Sequence, residues 1–97
     1  MASKDASLVS AQELHSFGNF LKRSEDDMKS LIINVNREVS RTNEAWDDKV
    51  NRQFTDKFYT YIDHVVKLVE LLDDYSKFVH AKADAIENYG NVGQHYI

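Results

Sequence analysis

The chain has no cysteine and no proline, and only three glycines in 97 residues: Gly18, Gly90 and Gly93. Without cysteine there is no disulfide, no thiol nucleophile and no thiolate zinc site. Residues 19–89 contain neither proline nor glycine, so they lack the turn residues that a sheet protein needs between strands. An all-α chain is the expectation. No apolar run approaches the ~18 residues of a membrane-spanning helix. The N-terminal MASKDASLVSAQEL has no apolar stretch of signal-peptide length. The formal net charge is −4 with both signs mixed along the chain. Nucleic acid wants a basic face, so neither it nor an anionic membrane surface is an expected partner. The expected location is cytoplasmic, or secreted without a cleaved signal peptide. The length suits one domain with a small core of its own.

What is present is helical periodicity. Residues 1–9 read as a frayed tail. Ser10 is followed three residues later by Glu13, the capping-box spacing, with Val9 and Leu14 at the flanking staple positions. A helix is therefore expected from about residue 11. Its apolar line steps by threes and fours through Leu14, Phe17, Leu21, Ser24, Met28, Leu31 and Val35, and fades near residue 42. A second line runs through Val50, Phe54, Tyr61, Val65, Leu68, Leu72, Tyr75, Val79 and Ile86. Gly90 follows as a natural C-terminal stop. The single domain 1–97 thus divides into a helix at about 11–42, a turn at about 43–46, a helix at about 47–89 and a loose tail at 90–97. So short a joint folds the helices back antiparallel. One continuous helix through Trp46 is the alternative, since no Gly or Pro forbids it.

A two-helix hairpin gives each helix one neighbour, and the second helix has more apolar residues than one neighbour covers. Phe58, Ile62, Val69 and Phe78 flank its line and are the expected dimer interface. Closing them off from water, at ~25 cal/mol per Å² of apolar surface, favours a second hairpin and a four-helix bundle. The partner is either an identical chain or a different helical hairpin.

The only tryptophan, Trp46, stands between the two lines in TNEAWDDKVNRQF, directly before Asp47 and Asp48. Two acids there suit the positive end of a starting helix, and the indole can plug the exposed ends of both seams. With the length near one hundred, the capped first helix, the mid-chain Trp, Phe54 eight residues later and a long second helix ending in Tyr89, the chain resembles the WXG family. These are small ESAT-like helical-hairpin proteins of bacterial type VII secretion. The resemblance spans about residues 10–89. It implies a turn and recognition role for Trp46, Asp48 and Tyr89, and a secreted effector or a secretion ATPase as further partners. The sequence departs from the family twice. The turn is Trp46-Asp47-Asp48 where the family has Trp-x-Gly. The Tyr-x-x-x-Asp/Glu export signal lacks its acid after Tyr89, where Gly93 stands. Tyr59–Asp63 fits that signal in mid-helix, a position that chance explains.

No chemistry of catalysis is recognisable. His15, His64, His80 and His95 include no pair at i, i+4 and no HExxH, so no metal or cofactor is expected. Glu25, Asp26 and Asp27 are consecutive and read as a solvated face. The chain is thus expected to be a non-enzymatic, WXG-like protein of a type VII system, itself exported or a helical targeting partner of a larger effector. The alternative is a cytoplasmic helical scaffold or adaptor, or a phage or toxin-system structural subunit, with no export role.

Overall fold

A computed structural model describes the backbone of residues 9–95 and the side chains of residues 9–89. The expected N-terminal tail lies almost wholly outside the described residues. The fold has two helices, α1 (Ala11–Ala45) and α2 (Lys49–His95), packed side by side with α2 returning along α1. The continuous-helix alternative is thereby set aside. The hairpin measures 73 × 26 × 14 Å, a long plate two helices wide and one helix thick.

α1 begins where the capping box places it. The Ser10 side chain accepts from the backbone N–H of Glu13 at 3.1 Å, satisfying one of the unpaired donors at a helix start. α1 runs three residues beyond its expected end, and α2 runs six residues beyond Tyr89. Gly90 therefore does not stop α2. A glycine ends a helix by adopting a left-handed conformation, and among the described residues no glycine has a positive φ.

The helices meet along two lines with three–four spacing, broken on α1 between Ile32 and Val39. Covered positions on these lines are Ala11, Leu14, Gly18, Leu21, Glu25, Met28, Ile32 and Val39 of α1 and Asn51, Thr55, Phe58, Ile62, Val65, Val69, Leu72, Ser76, Val79, Ala83 and Ile86 of α2, with His15, Ser24, Thr42, Asn43, Asp73 and His80 half-covered beside them. This corrects the expected register. Leu14, Leu21 and Met28 stay on the α1 line, but Gly18 and Ile32 replace Phe17 and Leu31, and Glu25 is buried beside a half-covered Ser24. On α2, Val65, Leu72, Val79 and Ile86 stay, while Val50, Phe54, Tyr61, Leu68 and Tyr75 yield to Asn51, Thr55, Ile62, Val69 and Ser76. The reason is size. Small residues at the contact let the backbones approach: Ala83 is fully buried and Ser76 nearly so, and the Ser76 hydroxyl donates to the Gly18 carbonyl at 2.8 Å.

Glu25 is the second surprise of the seam, with only 2% of its surface exposed; Asp26 and Asp27 do face solvent. Its carboxylate is met by Lys29 at 2.7 Å and Lys22 at 3.1 Å. Lys22 also reaches Asp73 of α2 at 3.5 Å, and Lys77 holds Asp73 at 2.8 Å. The Lys77 hydrogen bond keeps the Asp73 carboxyl below the usual carboxylate range. A buried charge is tolerated only when partnered, and lysines can snorkel from the rim to do so.

Candidate docking surface and recognition turn

The turn is three residues, Trp46–Asp48, held by side chains rather than by glycine. Trp46 closes α1 in extended conformation (φ −128°, ψ 96°), its N–H donating to the Thr42 carbonyl. Its indole Nε1–H donates to Asp48 Oδ2 at 2.6 Å. The other oxygen of Asp48 accepts the backbone N–H of Asn51 at 2.8 Å, the hydrogen bond of a helix N-cap. That N–H first, and the indole next, draw the Asp48 carboxyl below its ordinary value. Asn51 then ties both arms, donating to Asn43 Oδ1 at 2.6 Å and to the Trp46 carbonyl at 3.1 Å. Arg52 pairs with Asp47. No residue of the turn has a positive φ, so the reversal needs no glycine, and Asp48 restarts the chain as helix by capping α2.

Trp46 does not plug the seam. It is 51% exposed, and Val50 and Phe54 beside it are exposed too. It forms one wall of an apolar groove of ≈ 510 Å³ bounded by Val35, Val39, Phe54 and Phe58. Tyr89 lies near the opposite end of the plate, fully exposed. The three residues expected to share a recognition role are therefore split within one chain: Trp46 and Asp48 together, Tyr89 far away.

Most of the residues that left the expected seam line one side of the plate. Phe17, Leu31 and Val35 of α1 and Phe54, Tyr61, Leu68, Leu71, Tyr75 and Phe78 of α2 are all exposed. Helical spacing puts each set on one side of its own seam. The two sets meet where Phe17 packs edge-on against Tyr75 with ring centroids 5.3 Å apart. Together they form an apolar band from the turn towards the open end. The expected dimer interface divides over this geometry. Val69 is buried inside the hairpin, Phe58 and Ile62 are half-covered there, and of the four only Phe78 is exposed, at 64%. The opposite side of the plate has a smaller groove, ≈ 300 Å³, between Ile32, Ile33, Val66 and Val69.

At the open end the fold makes one cluster that the sequence does not announce. His15 of α1 and His80 of α2 bring their Nδ1 atoms within 2.6 Å. The far nitrogen of His15, Nε2, lies 3.3 Å from Asp84 and 3.4 Å from Glu87. The signal in the sequence is His80-x-x-x-Asp84-x-x-Glu87, one helical face, but it becomes a cluster only once the hairpin register sets His15 opposite. Among the described residues no helix is long and apolar enough to cross a membrane. Compared with protein-family models, curated proteins and solved structures, the chain finds no match.

Proposed function

We propose that this chain is a non-enzymatic, WXG-like protein of a type VII secretion system that works as a four-helix unit, its apolar face covered by a second copy of itself. The observation that carries the reading is the continuous band from Phe54 to Phe78 on α2 and Phe17 to Val35 on α1, left open by the hairpin. Burying a fully exposed side chain of this kind contributes about 1.5–3 kcal/mol, and each of these nine, 38–66% exposed, would recover part of that. A plate 73 Å long matches an occupant of the same length better than a compact one.

Charge favours a second copy in one arrangement. Within the face, α1 carries Glu13 and Glu38, the latter paired with Arg41 at 2.8 Å, and α2 carries lysines. Glu13 stands four residues from Phe17 and Glu38 three from Val35; Lys57 stands three from Phe54 and Lys82 four from Phe78. The cross-helix contacts His15–His80, Gly18–Ser76 and Asn43–Asn51 set the register, and in it Glu13 is level with Lys82, and Glu38 with Lys57. Two copies placed face to face with their turns together set α1 against the partner's α2, acid opposite lysine. Head-to-tail copies set Glu13 opposite Glu38 and lysine opposite lysine. Like charges across an interface disfavour that pairing, chiefly through the lysines, since Arg41 already meets Glu38.

The second reading rests on the separation of Trp46 from Tyr89. A head-to-tail partner brings its own helix end beside Trp46, as a shared recognition site requires, and such a partner is a different hairpin with opposite rim charges. The chain has no native cysteine, so spin labels on Lys49→Cys, beside the turn, report the arrangement directly. Turns-together copies give a label separation of about 20–30 Å, set by interhelix distances of 8–10 Å. A separation near the full plate length, or a monomer at tens of micromolar by light scattering, overturns self-docking as proposed. For the secretion role, disrupting the host's type VII ATPase gene should clear this chain, or an effector that depends on it, from the medium. An unchanged medium rejects that role.

A further inference from the structure

We propose that His15, Asp84 and Glu87 form a binding site for a divalent transition metal of the zinc class, which clamps the open end of the hairpin. The geometry is the first support. A tetrahedral ion with ligands at about 2.0–2.1 Å needs ligand atoms about 3.3–3.4 Å apart. His15 Nε2 lies 3.3 Å from Asp84 Oδ1 and 3.4 Å from Glu87 Oε1, so two edges of that tetrahedron exist already. All three ligand atoms fall within 4.8 Å of one another. One imidazole and two carboxylates leave the fourth position to water. This donor set suits zinc better than calcium, which takes six to eight oxygens.

The second support is the way His15 is held. A metal-bound imidazole uses one nitrogen for the ion and donates its other N–H to a fixed acceptor. His15 Nδ1 has such a neighbour in His80 Nδ1 at 2.6 Å. With the ion on Nε2, His15 Nδ1–H donates and His80 accepts. His80 is itself seated by α1: its ring lies against Gly18 so closely that a Cβ there would come within 2.6 Å of its Nε2. The only glycine of α1 thus makes room for the ring that orients the ligand. The ion joins the first turns of α1 to the last third of α2, at the end where the arms have no covalent link.

The alternative for the same contacts is a protonated His15 paired with two carboxylates. Zinc chloride titrated calorimetrically into the metal-stripped full chain at pH 7.5 separates the two. One ion per chain is expected, with cobalt(II) giving the visible bands of a tetrahedral site. The exposed, near-isosteric pair Asp84→Asn/Glu87→Gln should weaken binding at least tenfold, as should His15→Ala. His80→Gln should weaken it about tenfold, the usual cost of losing an orienting partner. His64→Ala should leave it unchanged. Zinc should raise the Tm of the native chain and not that of the Asp84/Glu87 variant. Equal zinc affinity in that variant and the native chain overturns the site. So does a native chain that takes up no zinc while the variant still loses stability, because an ion pair alone then accounts for the cluster.

Discussion

The indole N–H of Trp46 and the carboxylate of Asp48 are 2.6 Å apart, while the other oxygen of the same carboxylate caps α2 through the Asn51 N–H. One side chain therefore serves the tryptophan and the helix start at once. Asp48→Ala should lower Tm by roughly 5 °C, as lost N-caps do in domains of this size, and should change Trp46 fluorescence. Asp47→Ala, which removes the exposed pair with Arg52, should change both much less.

The same carboxylate sets an acid dependence. The folded state holds the Asp48 and Asp73 carboxyls below their ordinary values. A depressed folded value contributes stability above the unfolded value of about 4, and that stability is lost as pH falls through the folded value. Thermal melts should thus weaken below about pH 4. Asp48→Asn should flatten part of that slope, with Trp46 emission following the same transition in the native chain only.

Gly18 offers a test of the seam. In an exposed helix Gly→Ala stabilises by about 1 kcal/mol. Here a Cβ would run into the His80 ring, so Gly18→Ala should instead destabilise by about 1–3 kcal/mol, the range for overpacking. In a His80→Ala background the same change should become stabilising. Chemical denaturation of the four proteins of this double-mutant cycle measures the reversal.

Neighbouring positions on α2 should behave in opposite ways. Val69 is buried between the helices, while Leu68 is 45% exposed on the apolar face. Val69→Asp places a charge in the seam and should cost several kcal/mol, with loss of helical circular dichroism. Leu68→Asp should leave the hairpin folded and disrupt its association. Equal loss of helix in both would place Leu68 in the hairpin core.

Glu25 should show the usual asymmetry of buried charge. Glu25→Leu should be neutral or stabilising by about 1 kcal/mol, because an apolar residue needs no desolvated partner. Lys22→Met with Lys29→Met should destabilise, since both remove the cations that meet a carboxylate left in place. Urea denaturation at low and high salt distinguishes the two effects.

Periodicity alone does not fix which line of a stripe forms the seam. A three–four repeat defines a stripe, but two adjacent lines share half their members. Leu14, Leu21 and Met28 belong to both lines on α1, and Val65, Leu72, Val79 and Ile86 to both on α2. Hydrophobicity alone prefers Phe17 over Gly18 and Tyr75 over Ser76. The large residues instead stand outside, and the open histidine cluster was invisible because its members are 65 residues apart.

By itself the sequence determined what local chemistry decides. The absence of proline and the long repeats make two helices, the Ser10–Glu13 box starts α1 at Ala11, and the polar break around Trp46 with its two aspartates makes the turn. These depend on residues within a few positions of one another. Only the tertiary structure decided which line of each stripe forms the seam. That choice depends on how closely two backbones approach, and so on pairs such as Gly18 with His80 and Ser76. It buried Glu25, turned Leu68 and Tyr75 outward, and set His15 beside Asp84 and Glu87, because a contact between distant residues exists only once both helices share one register.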